Sequence, residues 1–172
     1  MRSQDRLTAC ELEPAAARAL AANLRRDRRA KATALNGWTA LTAYIPPKER
    51  RGLAFIDPPY EQPDEFDRAA DALVKAHRKW PTGCYLLWYP IKDRAGPDHL
   101  TKGLRASGIL KILRAELLIA ATGEAGAFGS GVILINPPWR LEEELAMLLP
   151  DLAVLLAQER GAAHLDWLRG ER

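Results

Sequence analysis

The sequence predicts an α/β fold with a mostly parallel sheet and an antiparallel last strand. Short apolar runs alternate with helical patterns along most of the chain, which is typical of parallel strands joined by crossover helices. Two apolar runs then follow one another, at 109–120 and 132–135, with a glycine-rich connection between them. Such a pair indicates an antiparallel edge. The length of 172 residues predicts one domain over 1–172.

Apolar runs and turn residues place the elements in order. Pro14 favours a helix start, Pro46 and Pro47 stop the second helix, and glycines bound the later strands. Pro90 is expected to end the fourth strand, and Pro150 to divide the last helix. Strands are expected at 6–12, 31–35, 53–56, 84–89, 109–120, 132–135 and 164–168, and helices at 14–29, 38–44, 64–80, 97–107 and 140–159.

The composition is that of a folded globular protein, with 48% hydrophobic and 27% charged residues. The net charge of +3 is compatible with a polyanionic partner but does not require one. No signal peptide and no apolar run of ~18 residues is visible, so we expect a cytoplasmic protein without a membrane partner. Cys10 and Cys84 lie in no metal-binding pattern, and we expect small buried hydrophobic side chains and no metal site.

The apolar run at 53–56 leads directly into Asp57-Pro58-Pro59-Tyr60. Prolines cannot donate to a sheet ladder, so the strand ends at Asp57. Ligands of open α/β sheets bind beyond the carboxyl ends of the strands. A carboxylate and a proline-fixed carbonyl can each accept one N–H of an exocyclic adenine amine, and an aromatic ring can stack on the base. Asp57, Pro58 and Tyr60 are therefore predicted as catalytic residues of an amino methyltransferase.

Two other segments leave alternatives open. Asn136-Pro137-Pro138-Trp139 also follows an apolar run, and asparagine also accepts from an amine, so local chemistry does not exclude it as the reactive loop. The basic segment at 25–31 has two interpretations: its cations complement a helix C-terminus, or they form a phosphate-binding patch.

From Leu7 onward the chain resembles the bacterial 23S ribosomal RNA adenine-N6 methyltransferases known as the RlmJ family. The resemblance covers nearly the whole chain in family order. Its stretches are Leu7–Pro14, Asn36-Gly37, Pro46-Pro47, Arg50–Glu61, Gly83–Pro90, Gly108–Leu113 and Ser130–Glu142.

The resemblance implies a Rossmann-like class I fold, S-adenosylmethionine as the methyl donor and 23S rRNA as the partner. Asp57 matches the catalytic aspartate and also contacts the cofactor. Glu11 matches the acid that holds the cofactor ribose hydroxyls, and Asn36-Gly37 matches an Asp-Gly that contacts its adenine. The second Asx-Pro-Pro segment, at Asn136, matches a turn after the last strand and is then interpreted as structural.

The chain departs from the family at its start. The family's histidine-containing segment, first strand and glycine-rich turn have no match before Glu11, so we expect a sheet without the family's first strand and weak cofactor binding. Two explanations stay open: either the sequence is a fragment or mis-started product of a longer protein, or a second copy or another partner fills the gap. One alternative is therefore a degenerate module that dimerises and binds nucleic acid without catalysis. Another is DNA adenine methylation, which shares the motif but lacks a visible target-recognition domain.

Overall fold

The computed structural model describes residues 2–49, 51–120, 128–157 and 161–171. The chain groups into two compact units, Met1–Ile45 and Pro46–Arg172, and each is described by itself. The expectation of a single domain stays a prediction. Within the described ranges, no helix is both long enough and apolar enough to cross a membrane.

The first unit is a β-α-β-α segment. It consists of β1 (Leu7–Glu11), α1 (Pro14–Leu24), β2 (Ala30–Ala34) and α2 (Gly37–Tyr44). β1 and β2 pair in parallel, from Leu7 opposite Ala30 to Glu11 opposite Ala34. The carboxylate of Glu13 caps α1 by accepting from the amides of Ala15 and Ala16, so the start of the helix is fixed by its own sequence.

The prediction that α1 reaches residue 29 was wrong. The helix ends at Leu24, and the basic segment follows it as a turn. The Asp27 carboxylate accepts from the backbone amide and the guanidinium of Arg29, with an ion-pair distance of 2.6 Å. An aspartate that bonds to the backbone two residues ahead favours a turn over a continued helix. The arginines therefore do not lie in the last helical turn.

The second unit contains a five-stranded sheet in the order β3-β4-β6-β5-β7. β3 and β4 are parallel, whereas β6 is antiparallel to both β4 and β5, and β7 is antiparallel to β5. The late antiparallel pair is thus inside the sheet, and β7 forms the edge. Its elements are β3 (Leu53–Ile56), α3 (Glu65–Lys79), β4 (Cys84–Ile91), α4 (Ala95–Ala106), β5 (Ile112–Leu118), β6 (Gly129–Ile135), α5 (Leu141–Leu156) and β7 (Ala162–Arg169).

Two proline positions differ from expectation. β4 runs through Pro90 to Ile91, because beyond Leu87 it no longer pairs with β3 and has β6 as its neighbour on one side. A strand with one free side accommodates proline. α5 continues through Pro150, which is exposed, so water can solvate the carbonyl that loses its helical partner. The predicted mobile connection at 123–131 lies mostly outside the described residues; Gly129 and Gly131 belong to β6.

The core of this unit is made by β4, β5 and β6, where the side chains of Tyr85, Leu87, Ile112, Leu113 and Ile133 have no solvent exposure. β3 is different. In the part of the chain that is described, β3 pairs with β4 alone, and Leu53 and Phe55 are 58% and 63% exposed. One edge of β1 and one edge of β3 are thus unpaired among these residues.

Candidate active site

Asp57 directly follows β3, at the end of the sheet where parallel β4 also ends. Its side chain is exposed, and the next residue, Pro58, is buried. The parallel register of Ile56 with Leu87 puts this turn beside the last residues of β4. The Asp57 carboxylate is therefore exposed to solvent, while the following residue of the same turn is buried.

The turn is held by Tyr60. Its backbone has φ 52°, in the left-handed region that costs an L-residue about 1–2 kcal/mol. Its hydroxyl donates a 2.8 Å hydrogen bond to the carbonyl oxygen of Trp88, and its ring centroid lies 4.7 Å from that of Phe66. Burial, and then the charges of Glu65 and Asp57, raise the pKa of Tyr60, so this hydroxyl stays a donor.

This packing bears on the predicted stacking role of Tyr60. The residue is only 8% exposed, because its ring is covered by Phe66 and Trp88. The structure therefore shows Tyr60 as a residue that positions the turn. Stacking of a base on its ring stays a prediction.

A cleft of about 350 Å³ opens beside the turn. One wall is the segment from Tyr60 to Pro63 together with Phe66, and the other is formed between Pro90 and Pro97, with Lys92 and Asp93 at the end of β4. A Cβ at Gly96 would lie 2.3 Å from the Phe66 ring, so glycine is required there for Phe66 to pack as it does. The second wall was not predicted, because it becomes part of the site only through the pairing of β3 with β4.

The second Asx-Pro-Pro turn lies at the opposite end of the sheet. β6 is antiparallel to β4, so Asn136 follows a strand that ends where β4 begins. Its amide nitrogen is 2.8 Å from the carbonyl oxygens of both Pro81 and Gly83. With φ 53°, Asn136 forms a turn that joins β6 to the start of β4. This geometry agrees with the structural interpretation of the second Asx-Pro-Pro segment, and the reactive role of Asp57 stays a prediction.

Three predicted cofactor residues, Glu11, Asn36 and Gly37, lie in the first unit at the carboxyl end of β1 and β2, whereas Asp57 belongs to the second unit. The Leu35 amide donates to the Glu11 carbonyl oxygen at 3.2 Å. Oε1 of Glu11 accepts from the amides of Leu12 at 2.7 Å and Glu13 at 2.9 Å, which fixes the carboxylate. Oδ1 of Asn36 accepts from the amides of Trp38 at 3.0 Å and Thr39 at 3.3 Å and thereby caps α2.

The capping role of Asn36 was missed, although an asparagine before a helix is a strong N-cap signal. The predicted adenine contact of Asn36 would compete for its side-chain oxygen, because two backbone amides already bond to that atom. At the next residue, Gly37, a Cβ would meet nothing within 4 Å, so the backbone is open on that side.

Alternating strands and helices, an antiparallel strand inserted between β4 and β5, and an Asp-Pro-Pro-Tyr turn at the end of β3 define a Rossmann-like class I methyltransferase fold. The family described as "Ribosomal RNA large subunit methyltransferase D, RlmJ" matches residues 1–169. The chain belongs to this family.

Two curated relatives and one solved structure are similar over almost the whole chain. "Ribosomal RNA large subunit methyltransferase J" of Haemophilus influenzae is 39% identical and covers 99% of this chain, and the protein of the same name from Escherichia coli K12 is 36% identical and covers 98%. A crystal structure of a Legionella pneumophila protein is 30% identical, with a TM-score of 0.89 over 100% of this chain and 63% of that one. The chain spans 62% and 61% of the lengths of the two curated relatives.

Proposed function

We propose that this chain carries the acceptor side of an S-adenosylmethionine-dependent methyltransferase that modifies the exocyclic N6 amine of an adenine in 23S rRNA. One observation carries the proposal: the exposed Asp57 carboxylate follows β3 on a turn that the Tyr60–Trp88 hydrogen bond holds. Family membership supports the same reading, because both curated relatives are named as methyltransferases of large-subunit ribosomal RNA. Such a substrate agrees with the cytoplasmic location that the sequence predicts.

Asp57 and Pro58 would orient the amine. The lone pair of an exocyclic adenine amine is delocalised into the ring, so methyl transfer requires the amine to be held with that lone pair directed at the methyl group. The Asp57 carboxylate accepts one N6 hydrogen and the Pro58 carbonyl accepts the other. When the methyl group bonds to N6, its bond to the sulfonium sulfur of the donor would break and leave a neutral thioether, and N6 would lose the proton that faces the Asp57 carboxylate. The buried Pro58 and the bonded Tyr60 keep both acceptors in place.

Glu11 fits the ribose of the cofactor better than Asn36 fits its adenine. A carboxylate fixed by two backbone amides is a suitable acceptor for two neighbouring hydroxyls. The Oδ1 atom of Asn36 is engaged, so Asn36 would offer its NH₂ hydrogens to a ring nitrogen, beside the open backbone of Gly37. S-adenosylmethionine supplies an electrophilic methyl group when bound.

Because the Asn36 oxygen that would accept from the cofactor adenine is used to cap α2, we expect this chain alone to bind S-adenosylmethionine weakly. Isothermal titration checks this expectation, and tight binding would refute it. Glu11→Gln is the informative variant, since it keeps the oxygen that accepts from Leu12 and removes the charge. It should abolish the residual binding heat.

The alternative is a nucleic-acid-binding or dimerisation module without activity of its own. Among the described residues one edge of β3 pairs with no strand, and Leu53 and Phe55 are exposed. This favours the alternative, because such an edge accepts a strand from another chain. Light scattering distinguishes this alternative when combined with the activity assay. A dimer that binds RNA without transferring methyl groups supports the module.

Methyl transfer from radiolabelled S-adenosylmethionine to protein-free 23S rRNA tests the proposal. Asp57→Ala should lower the rate by about 10²-fold or more, the range for loss of one well-placed polar group in an active site. Asp64→Ala is the matched control, because Asp64 is an exposed acid in the same connection and makes no side-chain capping bond. Equal rates for the wild type and Asp57→Ala would reject the catalytic assignment.

A further inference from the structure

Glu116 is a buried carboxylate with no place in the proposed methyl transfer. It lies on β5 and is 3% exposed. Its Oε1 accepts a 2.8 Å hydrogen bond from the hydroxyl of Tyr89, and its Oε2 accepts a 2.9 Å bond from Arg94. The Arg114 guanidinium lies 3.7 Å from Oε1. A buried charge is costly unless it is paired in this way, so the position requires explanation.

The bond from Tyr89 to Glu116 crosses an intervening strand. Tyr89 on β4 and Glu116 on β5 both lie opposite Gly131 of β6. A Cβ at residue 131 would lie 2.2 Å from the Tyr89 ring, so the tyrosine can reach across β6 only because residue 131 is glycine. Tyr89 is fully buried, and the charge of Glu116 contributes, after burial, to raising the pKa of its hydroxyl.

The same carboxylate also holds the start of α4. Arg94 immediately precedes that helix and divides its guanidinium between Glu116 and the exposed Asp98, at 2.9 and 3.4 Å. Glu116 thus binds residues 89 and 94, and the segment between them includes Pro90, Lys92 and Asp93 of the cleft wall. Asp93 contributes locally, since its carboxylate accepts from the Ala95 amide at 2.9 Å.

We propose that Glu116 is a positioning residue for RNA binding: through Tyr89 and Arg94 it fixes the β4–α4 wall of the cleft that receives the RNA segment around the reactive adenine. The inference rests on the proposed function, because it needs the cleft beside Asp57 to bind the substrate. Glu116 touches neither RNA nor cofactor in this scheme. It sets the distance between the Tyr60–Phe66 wall and the Lys92–Asp93 wall, and hence the width available to the RNA strand.

Two tyrosines of β4 provide a matched test. Tyr85 and Tyr89 are both fully buried, and both use their hydroxyls as donors, but Tyr85 bonds to the carbonyl oxygens of Ala76 and Trp80 at the end of α3. The experiment compares Tyr89→Phe with Tyr85→Phe in the full chain. Binding of a fluorescent adenine-containing RNA oligonucleotide is measured by anisotropy, unfolding by denaturant titration, and amide exchange over Ile91–Leu100 by mass spectrometry.

Tyr89→Phe should weaken RNA binding about fivefold, within the range of roughly 2- to 30-fold for residues that act on a site through a packed network, and should speed amide exchange in Ile91–Leu100. Tyr85→Phe should lower stability comparably and leave both readouts unchanged. Glu116→Gln keeps the side-chain volume and one acceptor but loses the charge that pairs with Arg94. It should weaken RNA binding and speed amide exchange in Ile91–Leu100 more than Tyr89→Phe does.

Equal RNA affinities for the two tyrosine variants, or unchanged exchange in the cleft wall, would overturn the positioning role even if Asp57→Ala still abolished methyl transfer. In that case the proposed function stands alone. If amide exchange is faster in Tyr89→Phe but the wild type does not bind RNA, the assignment of RNA as the substrate is wrong. The role of Glu116 in RNA binding is then wrong as well.

Discussion

The hydroxyl of Tyr60 and the carbonyl oxygen of Trp88 lie 2.8 Å apart and join the turn after β3 to the neighbouring strand. This bond spans the point at which β3 stops pairing with β4, since the last paired residues are Ile56 and Leu87. The tyrosine also holds a left-handed backbone conformation. The orientation of Asp57, three residues earlier, therefore depends on a side chain that it does not itself contact through a hydrogen bond in the described residues.

Tyr60→Phe removes this bond and leaves the half-buried carbonyl of Trp88 without this donor. We expect the free energy of unfolding to fall by about 1 kcal/mol and methyl transfer to fall with it, since the turn loses its tie to β4. Denaturant titration and the rRNA assay measure the two effects. Tyr44→Phe is the control, because Tyr44 is 40% exposed. Unchanged stability of Tyr60→Phe would show that the bond is not significant in solution.

Gly96→Ala should disturb the cleft, whereas Gly103→Ala in the same helix should not. A Cβ at residue 96 meets the Phe66 ring at 2.3 Å, but one at residue 103 meets only the Ala70 Cβ, at 3.3 Å. We expect a loss of about 1–3 kcal/mol for the first variant, as for overpacked cores. For Gly103→Ala we expect little net change in stability, because the tight contact with the Ala70 Cβ offsets a gain of up to about 1 kcal/mol in helix propensity. Urea unfolding of both proteins checks the contrast; equal stabilities would contradict the packing of Phe66.

Asn136→Ala should destabilise the protein without lowering the methyl-transfer rate of the folded fraction. It removes two hydrogen bonds to carbonyl oxygens and puts a Cβ-bearing residue without a side-chain amide at φ 53°, at a cost of about 2–3 kcal/mol. Asn136→Gly separates the effects, because glycine accepts this φ but makes neither bond. A rate that falls as far as that of Asp57→Ala would mean that Asn136 takes part in the chemistry.

Acid should weaken the first unit through Glu13 and Asp27. The amides of Ala15 and Ala16 lower the pKa of Glu13, and the side chain and backbone amide of Arg29 lower the pKa of Asp27 well below its usual range. The unfolded chain therefore takes up these protons first. The stabilisation is complete above pH ~5 and is lost as pH falls through about 4 and below.

Helical circular dichroism between pH 7 and 2 follows this loss, compared with the Glu13→Gln and Asp27→Asn double variant. The double variant should lose less of its helical circular dichroism signal on acidification, because the two carboxylates no longer take up protons. An identical profile for both proteins would rule out the two carboxylates as its source.

The Asp57 turn could be predicted because its signals are local: an apolar run, then an acid and two prolines. The order of strands and helices follows from the same kind of pattern. The predictions that Pro90 ends β4 and that Pro150 divides α5 were wrong. A proline ends a strand or helix only where a neighbouring group needs its missing N–H or where its ring clashes with the backbone. Among the described strands β4 has a single neighbour at Pro90, and Pro150 is exposed.

Non-local pairs could not be predicted. Glu116 appears in the sequence as one polar residue of an alternating strand, and only the register of β4, β6 and β5 puts it beside Tyr89 and Arg94. The similar turns at Asp57 and Asn136 differ for the same reason, because the direction of β6 decides the end of the sheet at which its turn lies. Asn36 was a local signal that went unused: its position before a helix predicts a cap.

Within the ranges that the structure describes, one side of β3 pairs with no strand, and this has a practical consequence for work with this chain. Backbone groups on that side, next to the exposed Leu53 and Phe55, can be satisfied by any extended polypeptide of suitable sequence. Concentrated solutions should therefore form oligomers by strand addition, and Phe55→Lys should suppress them, since a charge on an edge strand opposes such pairing. Preparations for crystallisation or titration are best made with that variant.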